Sequence, residues 1–177
     1  MIDLNIYYFI SNFNEKEIIG LDNKINIIYR NYKETVTEDT IKMIKNLCTK
    51  LGKKFFISNN VALAIKLQLD GVYIPSFNKT LNLNIKATNK FEILGSAHNL
   101  SEIRIKEKQG VNTLFLSPVF PVKKNNKFLG IYKFNLLSRL TKKKVIALGG
   151  INKNNINKIK LIECSGYAGI TYFKDRK

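Results

Sequence analysis

Gly149 and Gly150 end the apolar run VIALGGI, which starts at Val145, and free the backbone there to approach a ligand closely. Paired glycines expose backbone N–H groups, and exposed N–H groups are a common way to hold a phosphate. A second run, TLFLSPVFPVKK from Thr113, stops just as abruptly in residues that hold a sharp turn. Neither run alternates polar with apolar residues. That pattern belongs to strands buried on both faces, in a parallel sheet covered by helices. Ligands of such sheets bind where the strands end, so both runs point to a site.

The elements that must position this site alternate regularly along the chain. IYYFIS from Ile6, NIIYR from Asn26, KFFIS from Lys54 and GVYIP from Gly71 read as the first four strands. FEILGSA from Phe91, TLFLS, VIALG and YAGITYF read as the second four. Helices are expected at NEKEIIGL, from Thr37 to Gly52, at VALAIKLQL, at LSEIRIKEKQG, at NLLSRL and around NKNNINKIKLIE. In the second of these TEDT supplies a capping hydroxyl and early acids, and Ile41, Ile44, Leu47, Cys48 and Leu51 share one face. The connection SFNKTLNLNIKATNK has weak helical periodicity and is expected to be irregular. Eight strands alternating with helices imply an α/β fold, a single (β/α)8 TIM-type barrel over residues 1–177. It is a shortened barrel whose last covering helix is missing. A doubly wound open sheet is the structural alternative, although no GxGxxG follows strand one.

Composition narrows the classes further. At 177 residues the chain is long enough to bury about 70% of the surface it exposes unfolded. No stretch approaches the roughly 20 apolar residues of a membrane span, and the N-terminus lacks a basic signal-peptide region. Cys48 and Cys164 stand far apart, as buried free thiols of a cytoplasmic protein would. The formal charge is +17, but only Arg30, Arg104, Arg139 and Arg176 are arginines. The lysines are spread over most segments and share AT-rich codons with the abundant Asn and Ile. No basic strand is studded with aromatics, so the charge does not mark a nucleic-acid partner. A positive field would still attract phosphorylated small molecules.

SPVFP followed by ALGGI, with DGVYIP and ILGSAH upstream in that order, resembles the thiamine-phosphate synthase/TenI family of barrels. The resemblance runs from IYYFIS to GITYF. It implies thiamine biosynthesis, in which a pyrimidine pyrophosphate is coupled to a thiazole phosphate and magnesium helps the pyrophosphate to leave. Two alternatives accompany it. One is a degenerate member that binds phosphorylated thiazole or pyrimidine compounds; the other is a TenI-type thiazole tautomerase. The substrates implied are phosphorylated small molecules, with neither nucleic acid nor membrane as partner and with room for a homo-oligomer.

The resemblance also implies site residues. Arg30 matches an arginine at the end of strand two, with Lys33 close behind, and would clamp pyrophosphate or contact the pyrimidine. Asn59 and Asn78 stand where the family carries its two magnesium aspartates. Ser96 would hydrogen-bond pyrimidine or pyrophosphate, and His98, the one histidine, could move a proton. After PVFP, where the family has threonines and a lysine, come Val122, Lys123, Lys124 and Lys127, so Lys123 and Lys124 would grip phosphate as point charges. Gly149, Gly150 and Thr171, after strands seven and eight, complete the phosphate site. Pro118 stands where TenI-type enzymes place a histidine.

Overall fold

The structure, a computed structural model, describes residues 4–85, 90–122 and 127–174. Eight parallel strands close in chain order into a barrel: β1 (Asn5–Ile10), β2 (Ile25–Tyr29), β3 (Phe55–Ser58), β4 (Gly71–Ile74), β5 (Glu92–Ala97), β6 (Thr113–Leu116), β7 (Lys144–Leu148) and β8 (Gly166–Gly169). The last strand returns to the first, Tyr8 opposite Gly169. This is the expected (β/α)8 barrel, and the open sheet is excluded.

The strands are short and buried on both faces because their apolar residues do not alternate. One set points inward: Tyr7, Phe9, Ile28, Phe56, Tyr73, Leu94, Phe115, Ile146 and Ala168. Its aromatic rings meet edge to face, Tyr7 on Phe115 at 5.0 Å and Phe9 on Tyr73 at 5.2 Å between centroids. The barrel interior is therefore a filled core rather than a channel. The other set packs outward under α1 (Glu15–Ile19), α2 (Glu38–Lys50), α3 (Val61–Lys66), α4 (Leu100–Lys108) and α5 (Gly130–Arg139). As the sequence implies for α2, the Thr37 hydroxyl accepts the Thr40 N–H, Glu38 and Asp39 fill the first turn, and Ile41, Ile44 and Cys48 are buried.

Four details differ from the sequence expectation. Helix α5 begins at Gly130, well before NLLSRL. Around NKNNINKIKLIE only a 3₁₀ segment forms, Ile156–Leu161. There Asn155 accepts the Asn152 N–H at 2.9 Å, Asn152 accepts the Asn154 N–H at 2.9 Å, and Asn155 donates to the Gly150 carbonyl at 2.8 Å. Asparagines that bond nearby backbone in this way compete with a helical ladder. The run YAGITYF leaves the sheet after Gly169 and enters a helical turn, α6 (Thr171–Lys174). Its consecutive residues Tyr172 and Phe173 are both buried, and Phe173 packs on Tyr8 and Tyr167 across the β1–β8 seam. An alternating strand could not bury both on one side, so one turn of the last covering helix is present after all. Finally, Cys48 is buried but Cys164 only partly so.

Candidate functional site

The two motifs that end β6 and β7 are joined backbone to backbone. Val119 donates its N–H to the Leu148 carbonyl at 2.9 Å, and Phe120 donates to the Gly149 carbonyl at 3.1 Å. The contact leaves no room for side chains at the glycines. A Cβ on Gly149 would lie 2.7 Å from the Pro118 Cβ, and one on Gly150 would lie 2.4 Å from the Phe120 carbonyl oxygen. Both glycines also have positive φ, 90° and 72°. SPVFP and ALGGI are thus halves of one construction at the C-terminal face of the barrel. They line a cavity of about 500 Å³ with Arg30, Ser117, Leu148, Gly169 and Ile170, within the size range of small-molecule sites.

Arg30 follows β2 and lines this cavity. Its guanidinium lies 4.6 Å above the centroid of the Phe9 ring, and the stacking holds the charge without a neutralising contact. It also bonds the Tyr73 hydroxyl, which in turn bonds Ser96. Burial pushes the Tyr73 phenol up to about 12, so it stays protonated. Arg30 and Ser96, expected at the site, are brought together through this tyrosine, which sequence reasoning did not single out. The available signal was a hydroxyl inside an otherwise apolar strand, since a buried tyrosine hydroxyl needs partners. Arg30 and Ile170 also line a smaller adjoining cavity of about 250 Å³ under the β1–α1 loop.

At the same end of the barrel the loops after β3 and β4 carry a second, neutral wall, which lines neither cavity. The Asn78 amide donates to the Asn59 side-chain oxygen at 2.7 Å, and the Asn78 side-chain oxygen accepts the Thr80 N–H at 3.0 Å. Beside them the Tyr32 and Ser58 hydroxyls are 2.7 Å apart, and Tyr32 meets Phe77 edge to face at 5.5 Å. Both rings are more than half exposed, 53% and 62%. Magnesium prefers carboxylate and phosphate oxygens. Here the two amide oxygens at the expected positions are already engaged. Among the described residues no three acidic, histidine or cysteine side chains cluster. These residues do not fit a protein-held magnesium ion.

Other expected residues lie apart. Lys33 is exposed on the β2–α2 loop, its N–H donated to Asn31. His98 is exposed and gives its ring Nδ1 and its N–H to the Glu102 carboxylate, at 2.9 and 2.8 Å, at the start of α4. Against the opposing effect of burial, the hydrogen bonds from His98 hold Glu102 below its usual range. Neither residue lines the two cavities, and neither do Ser96, Asn59 or Asn78. Thr171 opens α6, and Lys123 and Lys124 lie outside the described residues.

Two buried charges were not foreseen, Lys53, which donates to the Leu21 and Asp22 carbonyls, and Lys106. Lys106 on α4 is 0% exposed, and burial pushes its ammonium down to about 8. Its partners are oxygens of the β4–β5 connection and of Gln109. Among the described residues no helix is long and apolar enough to cross a membrane.

Residues 17–173 match the thiamine monophosphate synthase family. A thiamine-phosphate synthase of Prochlorococcus marinus is 30% identical over 149 residues, covering 81% of this chain and 43% of the relative. One of Clostridium tetani is 25% identical over 160 residues, covering 89% of this chain and 77% of the relative. The chain thus spans less than half of the Prochlorococcus protein and about three quarters of the clostridial one. Among solved structures, thiamine phosphate pyrophosphorylase from Pyrococcus furiosus superposes with a TM-score of 0.76 at 21% identity, over 96% of this chain and 87% of that one. That likeness concerns the fold. The match over 17–173 settles the family: this chain belongs to the thiamine monophosphate synthase family.

Proposed function

We propose that this protein works in thiamine biosynthesis as a thiamine-phosphate synthase-type transferase, joining a pyrimidine pyrophosphate to a thiazole phosphate at the barrel mouth. The observation that carries the reading is the cavity built jointly by SPVFP and ALGGI and faced by Arg30. A phosphate seated there would lie beside the backbone of Gly149 and Gly150, which line the cavity. Arg30, held by Phe9 and Tyr73, would take the pyrophosphate charge. Ser96 would hold the tyrosine and, through it, the arginine.

The neutral Asn59–Asn78 pair favours a second reading, in which the same phosphorylated compounds bind and no coupling follows. Coupling leaves a pyrophosphate whose charge must be stabilised as it departs. Magnesium held by carboxylates would supply that stabilisation, and these residues do not provide them. Incubating the purified protein with both substrates and magnesium, and measuring thiamine phosphate, decides between the two. Product above a protein-free control supports the synthase. Binding of thiazole phosphate without product supports the second reading, and binding of neither overturns both.

A further inference from the structure

The crossover from β4 to β5 has no helix over residues 75–85, so its carbonyls lack the internal partners a helix would supply. Those partners come from α4, two elements along the chain. The Lys106 ammonium donates to the Pro75 carbonyl at 2.8 Å and to the Asn78 carbonyl at 2.7 Å, and it is held by the Gln109 side-chain oxygen at 2.8 Å. The Gln109 amide donates to the Asn78 carbonyl at 3.0 Å and the Thr80 carbonyl at 2.8 Å. Both residues are buried, Lys106 completely.

A buried ammonium is costly unless its hydrogens are used, and here all three are. The residues so held are those that present the neutral wall. Asn78 is gripped at its carbonyl by two donors, at its N–H by Pro75, and through its amide by Asn59. Phe77, between two clamped residues, is thereby kept against Tyr32.

We propose that Lys106 and Gln109 are positioning residues, a polar clamp that stands in for the helix absent from residues 75–85 and fixes Phe77 and Asn78 at the mouth. The clamp itself is independent of the reaction; only its consequence for the ligand rests on the function proposed above.

Hydrogen–deuterium exchange near neutral pH on wild type, Lys106→Met and Gln109→Met tests it, since methionine keeps the apolar bulk without the donors. A reporter, Phe77→Trp, is added in each background; the chain has no other tryptophan. In each variant, exchange over 75–81 rises roughly tenfold while β5 and β6 keep their rates. The reporter's emission anisotropy falls in step. Two results overturn the clamp: unchanged exchange and anisotropy in both variants, or acceleration spread equally over β4, β5 and β6, the mark of general packing loss. If Lys106→Met does not fold, Gln109→Met decides on the same criteria. Thiazole phosphate binding is measured in parallel. Failure of the wild type to bind it overturns the proposed function, while exchange alone still decides whether the clamp stands.

Discussion

Arg30 carries the charge of the mouth, and its setting makes its contribution measurable. Its guanidinium sits over Phe9 and bonds Tyr73 without being buried, so Arg30→Met leaves the barrel core intact. Charge-assisted hydrogen bonds to an anion are worth about 1.5–3 kcal/mol, roughly ten- to a hundredfold in affinity. Titration calorimetry with inorganic pyrophosphate should show a loss of that size; undiminished affinity would place the anion elsewhere. Across the mouth, Asn59 has a φ of 58° and bonds Asn78. Aspartate tolerates that backbone about as well as asparagine does, so N59D/N78D restores two carboxylates with little strain. The double variant should acquire Mn²⁺ binding, seen by water-proton relaxation with the metal alone, at concentrations where the wild type shows none. Metal binding by the wild type would contradict the neutral wall.

Elements meet the site through close backbone contacts, and the β6–β7 junction is the closest. An added methyl at Gly150 would press on the Phe120 carbonyl at 2.4 Å, in a backbone conformation of φ 72°. At Gly52, φ is 66° and nothing lies within 4 Å. Gly52→Ala therefore carries only the conformational cost of about 1 kcal/mol, whereas Gly150→Ala adds a backbone clash worth about 1–3 kcal/mol more. Urea unfolding should rank them in that order; equal midpoints would mean that the junction relaxes freely. The junction was legible in the sequence as two motifs but not as one contact, because pairing of non-adjacent loops leaves no local pattern. The strands were legible because uninterrupted apolar runs have few other destinations. The helix after β7 was not, since Asn152 and Asn155 turn their side chains back on the chain. Lys106 was hidden for another reason: within RIKEK a lysine reads as solvated, and only the irregular crossover beside it calls for a buried donor.

At the scale of the whole molecule the charge of +17 is spread rather than focused. Among the described residues lining the two mouth cavities Arg30 is the one cation and Glu17 the one acid. The described ion pairs, such as Lys42–Glu38 and Lys66–Glu38, are largely exposed, and pairs of that kind contribute little. An excess of lysines over a barrel of this size repels itself, and that repulsion opposes the compact state. Raising ionic strength to about 0.15 M shortens the screening length to about 8 Å and weakens repulsion between distant charges first. Scanning calorimetry from low salt upward should therefore show Tm rising by a few degrees and then levelling. A falling Tm would mean that the ion pairs outweigh the repulsion. The same screening separates a diffuse field from a built nucleic-acid surface. Duplex DNA that binds at low salt through scattered lysines should be released by about 0.15 M salt, because such affinity comes from counterion release and falls steeply as salt rises. Pyrophosphate at Arg30, held by directed bonds over an aromatic ring, should lose far less over the same range. DNA binding that survives the salt while pyrophosphate binding does not would invert this assignment and move the molecule's ligand surface from the barrel mouth to its lysine-covered exterior.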